Sequence, residues 1–150
     1  MKCLRRITIF LNVFIVVSCT KSEQFNKRLI KGENWSVKPC LYIPGNEVPA
    51  AKISVSSSSF KEGEEYGEGQ WKHEDGSEAN FFWRFYRSGQ EFELVQWDQK
   101  PEHEDRAHLQ LRNFSGTYVV KNDGKSFFEM TSEETWGYAG KMVSLSWNKQ

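Results

Sequence analysis

The densest run of ionisable side chains is Glu102-His103-Glu104-Asp105-Arg106-Ala107-His108. Histidine and carboxylate are zinc ligands. The two histidines stand five apart, however, and position 107 is Ala, so the His-Glu-x-x-His arrangement of helical zinc hydrolases is not formed. The run reads as a solvated loop, and nothing in the sequence ties His73 to it. No Gly-x-Ser-x-Gly elbow presents a nucleophile, and no glycine-rich turn opens a helix to hold phosphate. The adjacent pairs Glu64-Glu65 and Glu133-Glu134 lie in polar, loop-like surroundings. The residues therefore predict a non-enzymatic protein with no metal and no cofactor. Specific covalent chemistry is assigned to one position, Cys19. It follows a cationic start (Lys2, Arg5, Arg6), an apolar run from Ile7 to Val17, and Val16-Val17-Ser18. That is the layout of a secretory signal. The apolar run would make about 17 Å of helix, too short for a bilayer core of roughly 30 Å.

An aliphatic residue, a variable one, a small one and then Cys resemble the lipobox of bacterial lipoproteins. The resemblance implies that residues 1–18 are a signal peptide and that Cys19 is acylated to become the new N-terminus. It also implies attachment to a bacterial membrane of the cell envelope, the outer membrane being the expected one. The mature chain would hold 132 residues, 150 less 18, enough for one domain with a core. The signal removes three of 20 basic residues and none of 20 acidic ones, leaving 17 against 20 and a formal charge of −3. Such a balance predicts no nucleic-acid partner and no polybasic attachment to anionic lipid, so attachment is assigned to the acyl chains. Cys3 leaves with the signal and Cys19 carries lipid, so Cys40 stands alone, without an intramolecular disulfide. It is expected as a small buried residue near a sheet edge.

Behind the anchor, residues 19–28 are polar apart from Phe25 and read as a flexible tether. From Leu29 to Gln150 the pattern is period two. Strands are predicted around Trp35 and Val37, over Lys52 to Phe60, Gln70 to Glu74, Ala79 to Arg87 and Glu91 to Asp98. Further ones are predicted at Leu109 and Leu111, Thr117 to Lys121, Lys125 to Thr131 and Lys141 to Trp147. Pro39 to Pro49 is expected as a loop, with an edge piece at Leu41 to Ile43. Asp75-Gly76, Ser88-Gly89 and Asn122-Asp123-Gly124 signal hairpin turns. No window shows a helical period. The fold class predicted is all-β, an antiparallel meander of about eight to ten strands closed into a soluble barrel or curved sandwich. Closure would remove exposed edges. Charged residues on nearly every potential lipid-facing row argue against an outer-membrane barrel.

Leu29-x-x-Gly32-x-x-Trp35, the tryptophan- and phenylalanine-rich hairpins, Phe114-Ser-Gly-Thr-Tyr118-Val-Val and Gly137-Tyr-x-Gly140 follow in order. Together they resemble the lipocalin-like lipoproteins of the Bacteroidetes envelope, over Leu29 to Gln150. The first motif departs from the Gly-x-Trp of lipocalins proper by one residue. The resemblance implies a lipocalin-like barrel domain over 29–150. Trp35, Trp71, Trp83, Trp97, Tyr118 and Trp147 would then line a site for a small hydrophobic ligand. The same aromatics can instead fill the barrel, which is the favoured reading of them. Two functions stay open: an anchored binder of a small hydrophobic molecule, and an envelope protein-interaction module (hydrolase inhibitor or assembly accessory) with a filled barrel. For the second, the acidic stretches Glu62 to Glu68 and Glu102 to Asp105 are the expected contact loops.

Overall fold

The computed structural model describes residues 20–32, 34–43, 46–49, 53–57, 65–97 and 105–150. Cys19 and the segment before it, residues 58–64, and Glu102, His103 and Glu104 lie outside this set.

The chain forms α1 (Lys21–Lys31), β1 (Asn34–Ile43), β2 (Asn46–Pro49), β3 (Ile53–Ser57), β4 (Gly67–Lys72), β5 (Glu78–Tyr86), β6 (Glu91–Gln96), α2 (Arg106–Phe114), β7 (Gly116–Gly124), β8 (Phe127–Ser132) and β9 (Val143–Lys149). Every neighbouring pair in the sheet is antiparallel, and β1 also pairs with β9 from Trp35↔Lys149 to Leu41↔Val143, so the sheet closes on itself. β2 pairs with residues 40–43 of β1, and β3 with residues 34–37. Both lie along the same edge, so nine strands fill eight positions around the barrel. The predicted class, a closed all-β meander, is the architecture observed.

The segment from Pro39 to Pro49, expected as a loop, is instead the second half of β1 followed by β2. Tyr42 N–H donates to Met142 O and Gln150 N–H to Asn34 O, so the even-numbered groups of β1 face β9. Pro39 is odd-numbered and faces the other edge, at the break between β2 and β3. Its missing N–H therefore leaves no ladder bond unmade. Cys40 is half-buried within β1 and paired on both sides, so it is not at a sheet edge.

Inward positions alternate as period two demands. They are Trp35, Val37 and Leu41 of β1, Ala79 to Phe85 of β5, Phe92 and Leu94 of β6, Tyr118 of β7, Phe128 and Met130 of β8, and Val143, Leu145 and Trp147 of β9. On β4, Gly67 and Gly69 take inward positions because the rings of Trp83 and Phe81 lie where a Cβ would stand. The Asp75-Gly76 turn forms as expected, with Gly76 at φ 88°. The third turn differs: β7 runs through Asn122-Asp123-Gly124, with a bulge between Val120 and Asn122, and the turn is Lys125-Ser126.

Two helices replace expected irregular and strand segments. Thr20 to Arg28, expected within the flexible tether, is the N-cap and most of α1. Thr20 and Glu23 form a reciprocal capping box, and Phe25 and Leu29, one turn apart, are buried. Leu109 and Leu111, expected as strand, belong to α2. Its buried residues Ala107, Leu111 and Phe114 recur at helical spacing, and Asp105 caps it. No described helix is long and apolar enough to cross a membrane.

Candidate functional site

The barrel has two mouths, and a helix lies at each. At one, α1 sets Phe25 against Phe85 and Phe128, with ring centroids 5.2 Å apart in both cases. Asn26 Oδ1 accepts from Phe85 N, and Ser22 Oγ accepts from Gly89 N. Arg28 donates to Gly124 O at 2.7 Å and pairs with Asp123. At the other mouth, Ala107 N of α2 donates to Ser77 Oγ, and Gln110 Oε1 accepts from Trp71 Nε1 at 3.2 Å.

Between the helices the interior is aromatic. A chain of ring contacts runs Phe25, Phe85, Phe92, Trp147, Phe81, Trp71, with centroids 4.8 to 6.4 Å apart. Trp35 joins it through Phe128 at 5.7 Å. Such edge-to-face and tilted pairs add about 0.5–1.5 kcal/mol each beyond burial.

Of the six residues expected to line a ligand site, Trp35, Trp71, Trp83, Tyr118 and Trp147 do converge inside the barrel, all buried. Trp97 does not. It is 60% exposed on the outer surface, against Phe82 at 5.7 Å; it lies one residue past the end of β6 and falls outside the inward rows. The interior also holds Phe92 and Phe128, which are not among the six. The alternation of Phe92 with Leu94, and of Phe128 with Met130, is the signal that marks them.

Polar handles distinguish the five inner residues. Trp35 Nε1 donates to Leu29 O at 2.9 Å, Trp83 Nε1 to Glu68 O at 3.1 Å, Trp71 Nε1 to Gln110, and Tyr118 Oη to Phe114 O. Burial pushes the Tyr118 hydroxyl well above its ordinary pKa, so it stays a donor. Trp147 is the exception: its Nε1 is buried and has no hydrogen-bond partner among the described residues. A buried donor left unpaired costs about 1–3 kcal/mol.

The two described histidines are each held by a neighbouring aspartate. His108 Nδ1 lies 2.7 Å from Asp105 Oδ1, and His73 Nδ1 lies 3.0 Å from Asp75 Oδ1, each within its own cap or turn. Among the described residues no three His, Cys, Asp or Glu side chains could share a metal ion. Burial would raise the Asp105 carboxyl, but hydrogen bonds from the His108 backbone and ring outweigh it and hold it below its ordinary value. On the outer wall, Arg84 lies over Tyr66 at 4.4 Å and bonds Glu93 at 2.8 Å. This accounts for Phe81 to Tyr86 being apolar on both faces: the outward Phe82 and Tyr86 pack beside other aromatic and guanidinium groups. A shallow groove nearby is lined by Val95, Gly116, Glu134, Thr135 and Trp136, with Trp136 71% exposed.

No family model matches the chain, and no curated protein matches it. Among solved structures, japanin from Rhipicephalus appendiculatus, determined bound to cholesterol, superposes with a TM-score of 0.53 at 7% identity, over 81% of this chain and 77% of that one. At that identity the likeness is one of fold, and the fold is a lipocalin-like barrel.

Proposed function

We propose that this chain is a non-enzymatic binding protein, anchored to a bacterial envelope membrane through acylated Cys19, whose barrel takes one small apolar molecule bearing a hydrogen-bond acceptor. The observation that carries the ligand is the buried Nε1 of Trp147, without a hydrogen-bond partner among the described residues and set among Phe81 and Phe92. A carbonyl, hydroxyl or carboxylate oxygen on an otherwise apolar molecule would satisfy it. Binding of cholesterol by the similarly folded japanin supports the same class of ligand. The anchor rests on the Val16-Val17-Ser18-Cys19 pattern behind its cationic and apolar lead.

Titration of the purified protein with sterols and fatty acids is expected to change tryptophan fluorescence saturably. Trp147→Phe keeps an aromatic side chain, smaller than indole, and removes the N–H. It should weaken oxygen-bearing ligands more than pure hydrocarbons, by up to roughly tenfold, the equivalent of a net hydrogen bond of about 0.5–1.5 kcal/mol. Cys19→Ala should abolish incorporation of labelled fatty acid.

A second reading is favoured by a different observation. The ring contacts span the interior, helices lie at both mouths, and aromatic side chains stand outside instead: Trp97, packed on Phe82, and Trp136, whose N donates to Ser115 O in the outer groove. Exposed aromatic side chains of this kind mark protein contacts. Absence of saturable binding across the panel would move the function to that outer surface.

A further inference from the structure

Charge is divided between the two ends of the barrel. At the α1 end stand Lys21, Lys27 and Lys31 of the helix, Arg87 of the β5–β6 turn, Lys125 of the β7–β8 turn and Lys149 at the end of β9, all exposed. The described carboxylates there are Glu23, Glu65, Glu91 and Asp123, with Glu93 beside Arg84 and Glu129 beside Asn122 slightly further in. All of them are engaged: Glu23 with Thr20, Glu91 with Arg87, Asp123 with Lys21 and Arg28, Glu65 and Glu93 with Arg84, and Glu129 with Asn122. Among the described residues of the opposite end, Glu74, Asp75, Glu78, Asp105, Glu133 and Glu134 outnumber Lys72, Arg106, Arg112 and Lys141.

The helix carrying the basic side chains begins without slack. Thr20 is its N-cap, fixed by the reciprocal bonds Glu23 N to Thr20 Oγ1 at 3.2 Å and Thr20 N to Glu23 Oε2 at 3.0 Å. Thr20 directly follows Cys19. Because Phe25 and Leu29 point into the barrel, Lys21, Gln24, Lys27 and Lys31 fall on the outward face at three- and four-residue spacing.

We infer that the α1 end is a docking face for the anionic headgroups of the bilayer that holds the lipid, with the acidic end turned away. This rests on the acylation of Cys19. An acyl chain one residue before the N-cap holds this mouth against the membrane, and the basic residues then lie within a Debye length of the surface charge, about 8–10 Å at ordinary ionic strength. The net charge of −3 hides this face, because its excess is balanced at the far end.

Lysine footprinting tests the inference on the full chain, extracted from membranes and reconstituted into vesicles of phosphatidylcholine and phosphatidylglycerol. Acylation of Lys27, Lys31, Lys125 and Lys149 by an amine-reactive reagent should fall several-fold relative to Lys72 and Lys141. That protection should weaken on pure phosphatidylcholine and at high salt, and with Lys31→Glu combined with Lys125→Glu. Uniform protection, protection of Lys72 and Lys141, or protection indifferent to lipid charge would overturn it. The mass of the N-terminal peptide is read in the same experiment. An unmodified Cys19 refutes the anchor, while the pattern on anionic vesicles at low salt still decides the docking face. An acylated Cys19 with a uniform footprint refutes the face and leaves the anchor standing.

Discussion

Asp75 accepts from Ser77 Oγ at 2.6 Å and from Ser77 N at 2.9 Å, and these bonds lower its carboxyl from 3.8 to about 2. The charged form is favoured in the folded protein, so the stability it contributes is present above pH 3.8 and lost as pH falls through about 2. A carboxyl NMR titration should place the Asp75 midpoint near 2, and Ser77→Ala should move it back toward 3.8. A wild-type midpoint at the ordinary value would contradict the geometry. Ser77 Oγ also accepts from Ala107 N, so this turn is tied to the start of α2. At this scale the sequence was only partly legible. Tryptophan and tyrosine in alternating strands were readable as interior residues, because the pleat sends every second side chain inward. Trp97 was not, because the inward alternation of β6 ends before it. Nor could the lack of a hydrogen-bond partner for Trp147 among the described residues be seen, since it depends on which distant acceptors the closed barrel brings near.

Helix α1 shows what an isolated element contributes to the whole. It is short and polar, below the length at which a peptide helix stands alone in water, and its two buried side chains dock it. Phe25 touches Phe85 and Phe128 and lies beneath Lys21 and Arg28, each about 5 Å from its ring. Phe25→Ala should cost about 3–5 kcal/mol, read as a lower denaturant midpoint with faster hydrogen exchange at Phe85 and Gly89. An unchanged midpoint would mean that α1 is not packed into the mouth. Both helices carried legible signals that weaker patterns obscured. Thr20-x-x-Glu23 is a capping box, with Phe25 and Leu29 one turn apart, yet the polar composition around them resembles a tether. In α2 the spacing of Ala107, Leu111 and Phe114 is helical, but Leu109 and Leu111 between polar neighbours mimic a strand. The hairpins were easier, since turn residues and alternation act locally. Pro39 misled because its tolerance depends on a break between β2 and β3 that no local rule reveals.

The whole molecule depends on the seam between β1 and β9. Its partners, Trp35 with Lys149 through Leu41 with Val143, are more than a hundred residues apart in the chain. Without β9, both β1 and β8 would present unpaired edges, and the interior would lose Val143, Leu145 and Trp147. A chain ending at residue 142 should therefore lose its cooperative thermal transition and aggregate; a retained sharp transition would show that the barrel does not need the seam. The antiparallel meander was readable from sequence, whereas the identity of the closing pair was not, because every strand presents similar alternation. Loop closure over that separation costs on the order of 4 kcal/mol in chain entropy, so the native seam forms late and folding is expected on the slow side for a domain of this size. The order of synthesis adds to this. The first strand is made long before its final neighbour exists, and until the last seven-residue strand arrives the chain cannot close. A polypeptide still being made thus stays open, and becomes a barrel only once residues 143–149 have been added.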